Sequence, residues 1–195
     1  MLNSEILQTF RSLLAEAEAA GEPEPHAMNL ATADAGGRVS SRIVLLKGID
    51  ERGPRFFTNY QSDKALQLEA HPQAALCFHW KHLREGVQVR FEGSTRKLTA
   101  EESDAYFATR PRLSQLGAWA SLQSQTLPDR AAFEQRLAHY EREFEGRPVP
   151  RPPHWGGYVL EPDMVEFWYG AAFRLHERQR WSRHGQTWTC RMLYP

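Results

Sequence analysis

The chain has 195 residues, of which 41% are hydrophobic and 25% charged, so one globular domain with a full-sized core is expected. Its 24 Lys and Arg balance its 24 Asp and Glu, which argues against a nucleic-acid binder, because such proteins carry a basic excess. No apolar run is long enough for a membrane span, and two distant cysteines without metal-ligand spacing, Cys77 and Cys190, favour a reduced, cytoplasmic setting.

The first half of the chain predicts one helix followed mainly by strands. Ile6, Phe10 and Leu13 recur at helical spacing, so an amphipathic helix is expected over residues 3–20. The further elements predicted here are strands over 27–32, 39–47 and 55–59, a short helix over 63–70, and a hairpin of strands 74–80 and 87–98.

The second half predicts three helices and then a return to strands. The helices are expected from the capping box at Thr99 to about Arg110, over 112–120, and from Pro128 to about Phe144. The predicted strands cover 158–160, 165–169, 173–181 and 187–192. This order favours an α+β fold with an antiparallel, Greek-key type barrel and flanking helices over a parallel sheet. No linker divides the chain, so we expect a single domain over 1–195, with the N-terminal helix in 1–22 and closing strands in 157–195.

The segment from Phe173 to Arg178 is the strongest local sign of a binding site. Interpreted as a strand, it places Arg174, His176 and Arg178 on one face. These cationic side chains repel each other unless an anion lies opposite, and guanidinium groups suit phosphate or carboxylate oxygens. The alternative is a solvated edge strand that its charges keep soluble.

Three other groups are candidates for binding anions. Arg42 and Lys47 stand at the two ends of an apolar strand, although on a regular strand they point to opposite faces. The other two groups are Thr58, Ser62 and Lys64 around a strand-to-helix turn, and Tyr106, Arg110 and Ser114 across a helix–turn–helix. Each has a structural alternative: snorkelling strand ends, a helix N-cap, and an Arg that caps its own helix.

Amides and aromatic side chains complete the candidates. Gln88 and the loop Gln123-Ser124-Gln125 can hydrogen-bond a heterocycle. For Trp168 the base rate favours a place in the core over contact with a cofactor. No catalytic triad or metal motif is visible. Many anion-binding candidates without a nucleophile indicate that a cofactor carries the chemistry.

Taken together, these segments resemble the pyridoxine/pyridoxamine 5′-phosphate oxidases, FMN enzymes of vitamin B6 metabolism. The resemblance covers roughly residues 27–195, and its motifs occur in the family's order. They are R-I-V-L-L-K at 42–47, F-F-T-N at 56–59, S-D-K-A at 62–65, Q-V-R-F-E-G at 88–93, Y-F-A-T-R-P-R-L-S-Q-L-G-A-W at 106–119, Q-S at 123–124, W-G-G-Y at 155–158, and E-F-W-Y-G with R-L-H-E-R within 166–178.

The resemblance implies an FMN-binding split barrel that forms a homodimer with FMN at the interface. The FMN-binding residues it implies are Arg42, Ile43, Val44, Leu45, Leu46, Lys47, Phe57, Thr58, Lys64, Gln88, Gln123, Ser124, Trp168 and Arg178. The substrate-binding residues it implies are Lys47, Tyr106, Arg110, Ser114, Arg174 and His176, with Arg174 and His176 as the catalytic pair.

The implied reaction oxidises pyridoxamine or pyridoxine 5′-phosphate to pyridoxal 5′-phosphate and reduces O2 to H2O2. The chain departs from the family's pattern at Asp63, where an Arg usually stands beside the Lys. Two alternatives stay open: a split-barrel flavoprotein that acts on another substrate, and a non-enzymatic binder of FMN or pyridoxal phosphate.

Overall fold

The computed structural model describes residues 1–195, which form five helices and nine strands. The helices are α1 (Ser4–Ala19), α2 (Asp63–Ala70), α3 (Ala100–Ala108), α4 (Arg112–Ala120) and α5 (Arg130–Glu143). The strands are β1 (Ala27–Ala33), β2 (Val39–Leu45), β3 (Gly48–Asp50), β4 (Gly53–Asn59), β5 (Gln73–Trp80), β6 (Val87–Lys97), β7 (Trp155–Tyr169), β8 (Glu177–His184) and β9 (Thr187–Leu193). None of the helices has the length and apolar character required to cross a membrane.

All nine strands belong to one sheet in which every pairing is antiparallel. Its order is β2-β1-β5-β6-β7-β4-β3, with β8 on β7 and β9 on β8. The long strand β7 pairs with β6 along one edge. Along its other edge it pairs first with β4 and then, further along, with β8. The sheet therefore branches at β7, and the two ends of this strand serve different parts of the molecule.

Two apolar clusters hold the elements together. The larger, of 23 residues, packs α1 against the sheet, and Phe10 lies edge-on to Phe78 and Phe91 at centroid distances of 5.1 and 5.2 Å. The smaller cluster joins α3, α4 and α5 to the start of β7 through Phe107, Leu116, Phe144 and Trp155. This smaller apolar cluster holds the three helices against one end of β7.

The tail differs from its prediction in two respects. The strands expected over 158–160 and 165–169 are one continuous strand, because a register shift opposite Glu92 and Gly93 accommodates one extra residue of β7, Asp163, and the pairing with β6 continues on both sides. The strand expected over 173–181 begins only at Glu177.

The prediction that Arg174, His176 and Arg178 share one strand face is therefore wrong. Residues 172–174 form a short 3-10 turn, in which Phe173 and Arg174 have φ angles of 56° and 64°. These left-handed values are incompatible with extended backbone. Of the three cationic residues only Arg178 lies on β8, while Arg174 and His176 belong to the loop before it.

Candidate functional site

A cleft of about 660 Å³ opens between the sheet and helices α3 and α4. It is lined by most of the residues that the sequence nominated in the first two thirds of the chain. These are Ile43, Val44, Leu45, Lys47, Phe57, Thr58, Lys64, Tyr106, Arg110, Ser114 and Gln123. Asn59 and Trp155 also line it, although neither was identified as a site residue from the sequence.

One end of the cleft is built around Lys64, in the first turn of α2. Its ammonium group donates to Thr58 Oγ1 at 3.3 Å, Ser62 Oγ at 3.2 Å and Gln123 Oε1 at 3.0 Å. Burial and the charge of Arg42 lower the pKa of Lys64, and the nearby Asp63 carboxylate only partly opposes this. Two cations therefore lie close together at a helix N-terminus, an arrangement suited to an anion such as phosphate.

Arg42 lies beside this end rather than in the lining of the cleft. Its Nη1 donates to Thr32 Oγ1 at 2.5 Å, and its Nη2 to Gln67 Oε1 at 3.2 Å. Neither Arg42 nor Lys64 has a carboxylate within ion-pairing distance. Ser124 stands at the same edge, where its Oγ accepts from the backbone N–H of Asp63 at 3.2 Å.

The other end of the cleft is built around Arg110, in the turn between α3 and α4. Its guanidinium carbon lies over the Trp155 ring at 4.7 Å from the centroid. Nη1 is buried and has no hydrogen-bond partner. Burial lowers the pKa of Arg110, an effect that Tyr106 partly opposes. A buried, charged N–H group without a partner is costly, so this end of the cleft suits an anionic ligand.

Aromatic stacking fixes the wall next to Arg110. The Tyr106 ring lies 4.0 Å from the Phe57 ring with 19° between their planes, and Phe57 stacks in turn on Trp155 at 5.3 Å. Tyr106, Arg110 and Ser114 all line the cleft, so the helix–turn–helix brings together the three residues nominated as an anion clamp.

The remaining nominated residues form a second cluster on β6, β7, β8 and the loop before β8. Trp168 pairs with Gln88 on one side and with Arg178 on the other, so these three side chains share one face of the sheet. The His176 ring lies 4.5 Å from the Trp168 ring. His176 Nδ1 accepts a hydrogen bond from the backbone N–H of Ala171 at 3.1 Å, so the proton of a neutral imidazole is on Nε2.

A buried carboxylate that the sequence analysis missed anchors the second cluster. Glu166, 2% exposed, accepts hydrogen bonds from Arg178 at 2.9 Å, Arg180 at 2.9 Å and Arg90 at 3.2 Å. Burial by itself would raise its pKa, but the hydrogen bonds and charges of these arginines lower it. In the sequence, only its position in the motif E-F-W-Y-G could have indicated that Glu166 belongs to the site.

Within one chain the two clusters lie at opposite ends of β7. Trp155 lines the cleft, and Trp168 stands thirteen residues further along the same strand. At ~3.3 Å per residue that is about 40 Å measured along the strand. Leu46, also nominated, packs in the main core with 3% exposure, and it does not line the cleft.

Sequence comparisons relate the whole chain to one group of enzymes. A family profile described as pyridoxamine 5′-phosphate oxidase matches residues 14–142. A second, described as the pyridoxine 5′-phosphate oxidase C-terminal dimerisation region, matches residues 155–195. Two relatives are named pyridoxine/pyridoxamine 5′-phosphate oxidase. The protein from Xanthomonas oryzae pv. oryzae is 56% identical to this chain over 100% of this chain and 98% of the relative. The protein from Rubrobacter xylanophilus is 53% identical over 97% of this chain and 86% of the relative.

Solved structures agree with this relationship. PhzG from Burkholderia lata, in complex with tetrahydrophenazine-1-carboxylic acid, superposes with a TM-score of 0.92 at 33% identity, over 100% of this chain and 98% of that one. A pyridoxamine 5′-phosphate oxidase-related, FMN-binding protein from Nostoc punctiforme has a TM-score of 0.77 at 19% identity and covers 100% of both chains. The predicted fold class, an α+β antiparallel split barrel with flanking helices, is confirmed.

Proposed function

Because the chain belongs to the pyridoxamine 5′-phosphate oxidase family, we propose that it oxidises pyridoxamine and pyridoxine 5′-phosphate to pyridoxal 5′-phosphate. FMN, when bound, would supply a two-electron oxidation at C4′ of the substrate, with O2 as the final acceptor and H2O2 as its product. With the amine substrate, water would hydrolyse the oxidised product to the aldehyde and release ammonia. The observation that carries the proposal is Arg110, whose buried Nη1 has no partner in a cleft shared with Lys47, Tyr106 and Ser114. That set of donors suits the substrate's phosphate.

The residues at the Lys64 end of the cleft fit the phosphate of FMN. Lys64 and Arg42 supply two cations without a carboxylate partner, and the N-terminus of α2 supplies backbone N–H groups. Thr58, Gln123 and Ser124 add polar groups around the same point. The segment from Ile43 to Lys47, together with Phe57, would line the path of the flavin along the cleft.

We infer that a complete site needs two copies of the chain. Gln88, Trp168 and Arg178, together with Arg174 and His176, are implied contacts of the same two ligands, yet they lie at the far end of β7 from the cleft. The C-terminal region that carries four of these five residues matches the family's dimerisation region. In a homodimer with FMN at the interface, the second cluster of one copy would face the cleft of the other.

The chain's own part in the chemistry is to bind and align the substrate. Lys47, Tyr106, Arg110 and Ser114 would hold its phosphate, while Arg174 and His176 of the second copy would lie over the pyridine ring. His176 would present Nε2–H to an acceptor atom of the substrate, because Ala171 holds Nδ1. Alignment of this kind accounts for rate effects of several orders of magnitude.

The experiment that tests the proposal compares the wild-type protein with Arg110→Met. The wild type should be purified yellow and should oxidise pyridoxamine 5′-phosphate with release of peroxide. Arg110→Met should keep its flavin and raise KM for the substrate about 10- to 100-fold, the range that a charged hydrogen bond supports. The control is Arg130→Met on α5, where Arg130 pairs only with the exposed Glu134, and it should change neither quantity.

Colourless wild-type protein that cannot be reconstituted with FMN would overturn the proposal. Yellow protein that oxidises neither vitamin B6 phosphate would favour a binding protein instead.

A second candidate is a flavin oxidase for a ring carboxylate without phosphate. It is favoured by the structural similarity to PhzG, whose structure holds tetrahydrophenazine-1-carboxylic acid. The cationic groups at both ends of the cleft argue for two phosphates instead, one from the cofactor and one from the substrate. Turnover of a dihydroaromatic carboxylate at a higher kcat/KM than pyridoxamine 5′-phosphate would favour the second candidate.

A further inference from the structure

Arg42 is held in place by two side chains that neither the motifs nor the cleft lining include. Thr32, on β1, is 2% exposed, and its hydroxyl both accepts from Arg42 Nη1 and donates to Gln67 Oε1, at 2.5 Å in each case. Gln67, on α2, accepts from Arg42 Nη2 at 3.2 Å. Gln67 Nε2 is in turn 3.4 Å from Ser40 Oγ, so this amide bridges α2 to both β1 and β2.

The contacts of Arg42 with the protein occupy only some of the N–H groups of its guanidinium. Nη1 also approaches the backbone carbonyls of Leu30 and Ser40, both at 3.3 Å. The hydrogen bonds thus engage Nη1 and one side of Nη2, and they leave Nε–H and the second Nη2–H of Arg42 without a protein acceptor. The guanidinium is fixed in one orientation and still has two donors for a ligand.

The fixed orientation matters because Arg42 lies close to another cation. Arg42 binds Gln67, which lies three residues after Lys64 on α2. Burial and then the charge of Arg42 lower the pKa of Lys64, which agrees with repulsion between the two cations. A long side chain without neutral acceptors would move into solvent to escape this repulsion. Thr32 and Gln67 oppose that movement without adding a negative charge that would compete with a bound phosphate.

We propose that Thr32 and Gln67 are positioning residues that hold Arg42 beside Lys64 and so select the 5′-phosphate of the flavin. The proposal rests on the proposed function, because it takes FMN to be the anion at this end of the cleft. It assigns these two side chains a role in discrimination between FMN and riboflavin, rather than in flavin binding as such.

The test measures the affinity of the flavin-free protein for FMN and for riboflavin by quenching of flavin fluorescence. Thr32→Val and Gln67→Met keep the side-chain volume and remove the acceptor. Each should weaken FMN binding about tenfold, the equivalent of one hydrogen bond to a charged group, and leave riboflavin binding within about twofold. Thr32→Ser keeps the hydroxyl and should retain wild-type discrimination. Gln8→Met, at an exposed position of α1, is the matched control for Gln67→Met.

A double-mutant cycle identifies the route of the effect. In an Arg42→Met background, Thr32→Val should have no further effect on FMN binding, because it acts through Arg42. Equal losses for FMN and riboflavin in Thr32→Val and Gln67→Met would overturn the inference and leave the proposed function standing. A wild-type protein that binds neither flavin would overturn the proposed function itself.

Discussion

At the residue scale, the cleft brings together cations that have no carboxylate partner. Elsewhere many arginines lie against carboxylates, as Arg52 does with Asp50 and Glu102. In the cleft, Lys64 rests on hydroxyl and amide oxygens, and Arg110 has a buried donor without a partner. Neutral acceptors hold a cation in place and leave its charge available to an anion.

Asp63 is the one carboxylate close to this group, and it should weaken cofactor binding. It is exposed at the first position of α2, and its charge acts on both Arg42 and Lys64. Because exposed charge pairs contribute about 0.2–1 kcal/mol, Asp63→Asn should tighten FMN binding by up to about fivefold at low salt, with riboflavin unaffected. Flavin titrations check this against Asp163→Asn, an exposed position on β7. Weaker FMN binding in Asp63→Asn would contradict it.

The lowered pKa of Lys64 predicts a pH dependence of cofactor binding. Burial, followed by the charge of Arg42, makes Lys64 lose its proton below the pH of about 10.4 at which an ordinary lysine does. Phosphate binding needs the protonated form, so FMN affinity should fall as the pH rises through this lowered pKa. Riboflavin affinity should not depend on the protonation of Lys64, because riboflavin has no phosphate. In Lys64→Arg, whose guanidinium does not titrate in this range, the FMN profile should be flat. Identical alkaline profiles in both proteins would refute the assignment.

At the scale of elements, β7 organises the site because both clusters are attached to it. Its first residues pack against α3 and α4, and its last residues carry Trp168 beside Arg178. Gly170, directly after β7, allows the chain to pass close to the carbonyl of Glu85, where a Cβ would lie 1.9 Å from that oxygen. The loop with Arg174 and His176 starts from this close approach.

Glu166 should be the main electrostatic support of this end of β7. Replacing it by Gln leaves Arg90, Arg178 and Arg180 without their shared carboxylate, so Glu166→Gln should lower the free energy of unfolding by about 3–5 kcal/mol at neutral pH. The pKa of Glu166 is lowered in the folded state, so its stabilisation is present above about pH 4.3 and lost as the pH falls through the lowered value. Urea denaturation at several pH values measures both effects.

The control for this prediction is Glu161→Gln on the same strand. Glu161 pairs with Arg96 at a half-exposed position, where an ion pair contributes about 0–1 kcal/mol. Equal losses in the two variants would mean that Glu166 has no special role.

The sequence predicted most elements because their signals are local. The capping box at Thr99 begins α3, and the apolar stripe of α1 packs into the main cluster. The segment 173–176 was mispredicted because its alternating charges imitate a strand, while two consecutive left-handed residues depend on contacts that periodicity does not reveal. Thr32 and Gln67 were missed for a similar reason: their partner Arg42 lies 10 and 25 positions away in the chain.

At the scale of the whole molecule, the separation of the two clusters is the central fact. The nominated phosphate-binding groups lie in the cleft or, for Arg42, beside it, and the residues nominated to cover the substrate ring lie near the far end of β7. Large apolar side chains are exposed at both places: Ile43 at 62% on β2 and Phe173 at 93% in the loop before β8. Exposed apolar side chains at both places fit the proposed dimer, in which a second copy would cover them.

Complementation between two defective copies tests this arrangement directly. Arg110→Met damages the cleft, and His176→Ala damages the second cluster, so each homodimer should show only a small fraction of the wild-type rate when the substrate is held at the wild-type KM. If every site combines the cleft of one copy with the second cluster of the other, a heterodimer of these variants has one site with both defects and one intact site. Heterodimers isolated through two different affinity tags should therefore recover about half of the wild-type rate.

The matched control pairs Arg110→Met with Lys47→Met. Both changes lie in the cleft, so no site of this heterodimer is intact and no activity should return. A heterodimer of Arg110→Met and His176→Ala as inactive as its parents would mean that each site is formed within a single copy, and the loop carrying Arg174 and His176 would then have to move toward the cleft of its own chain.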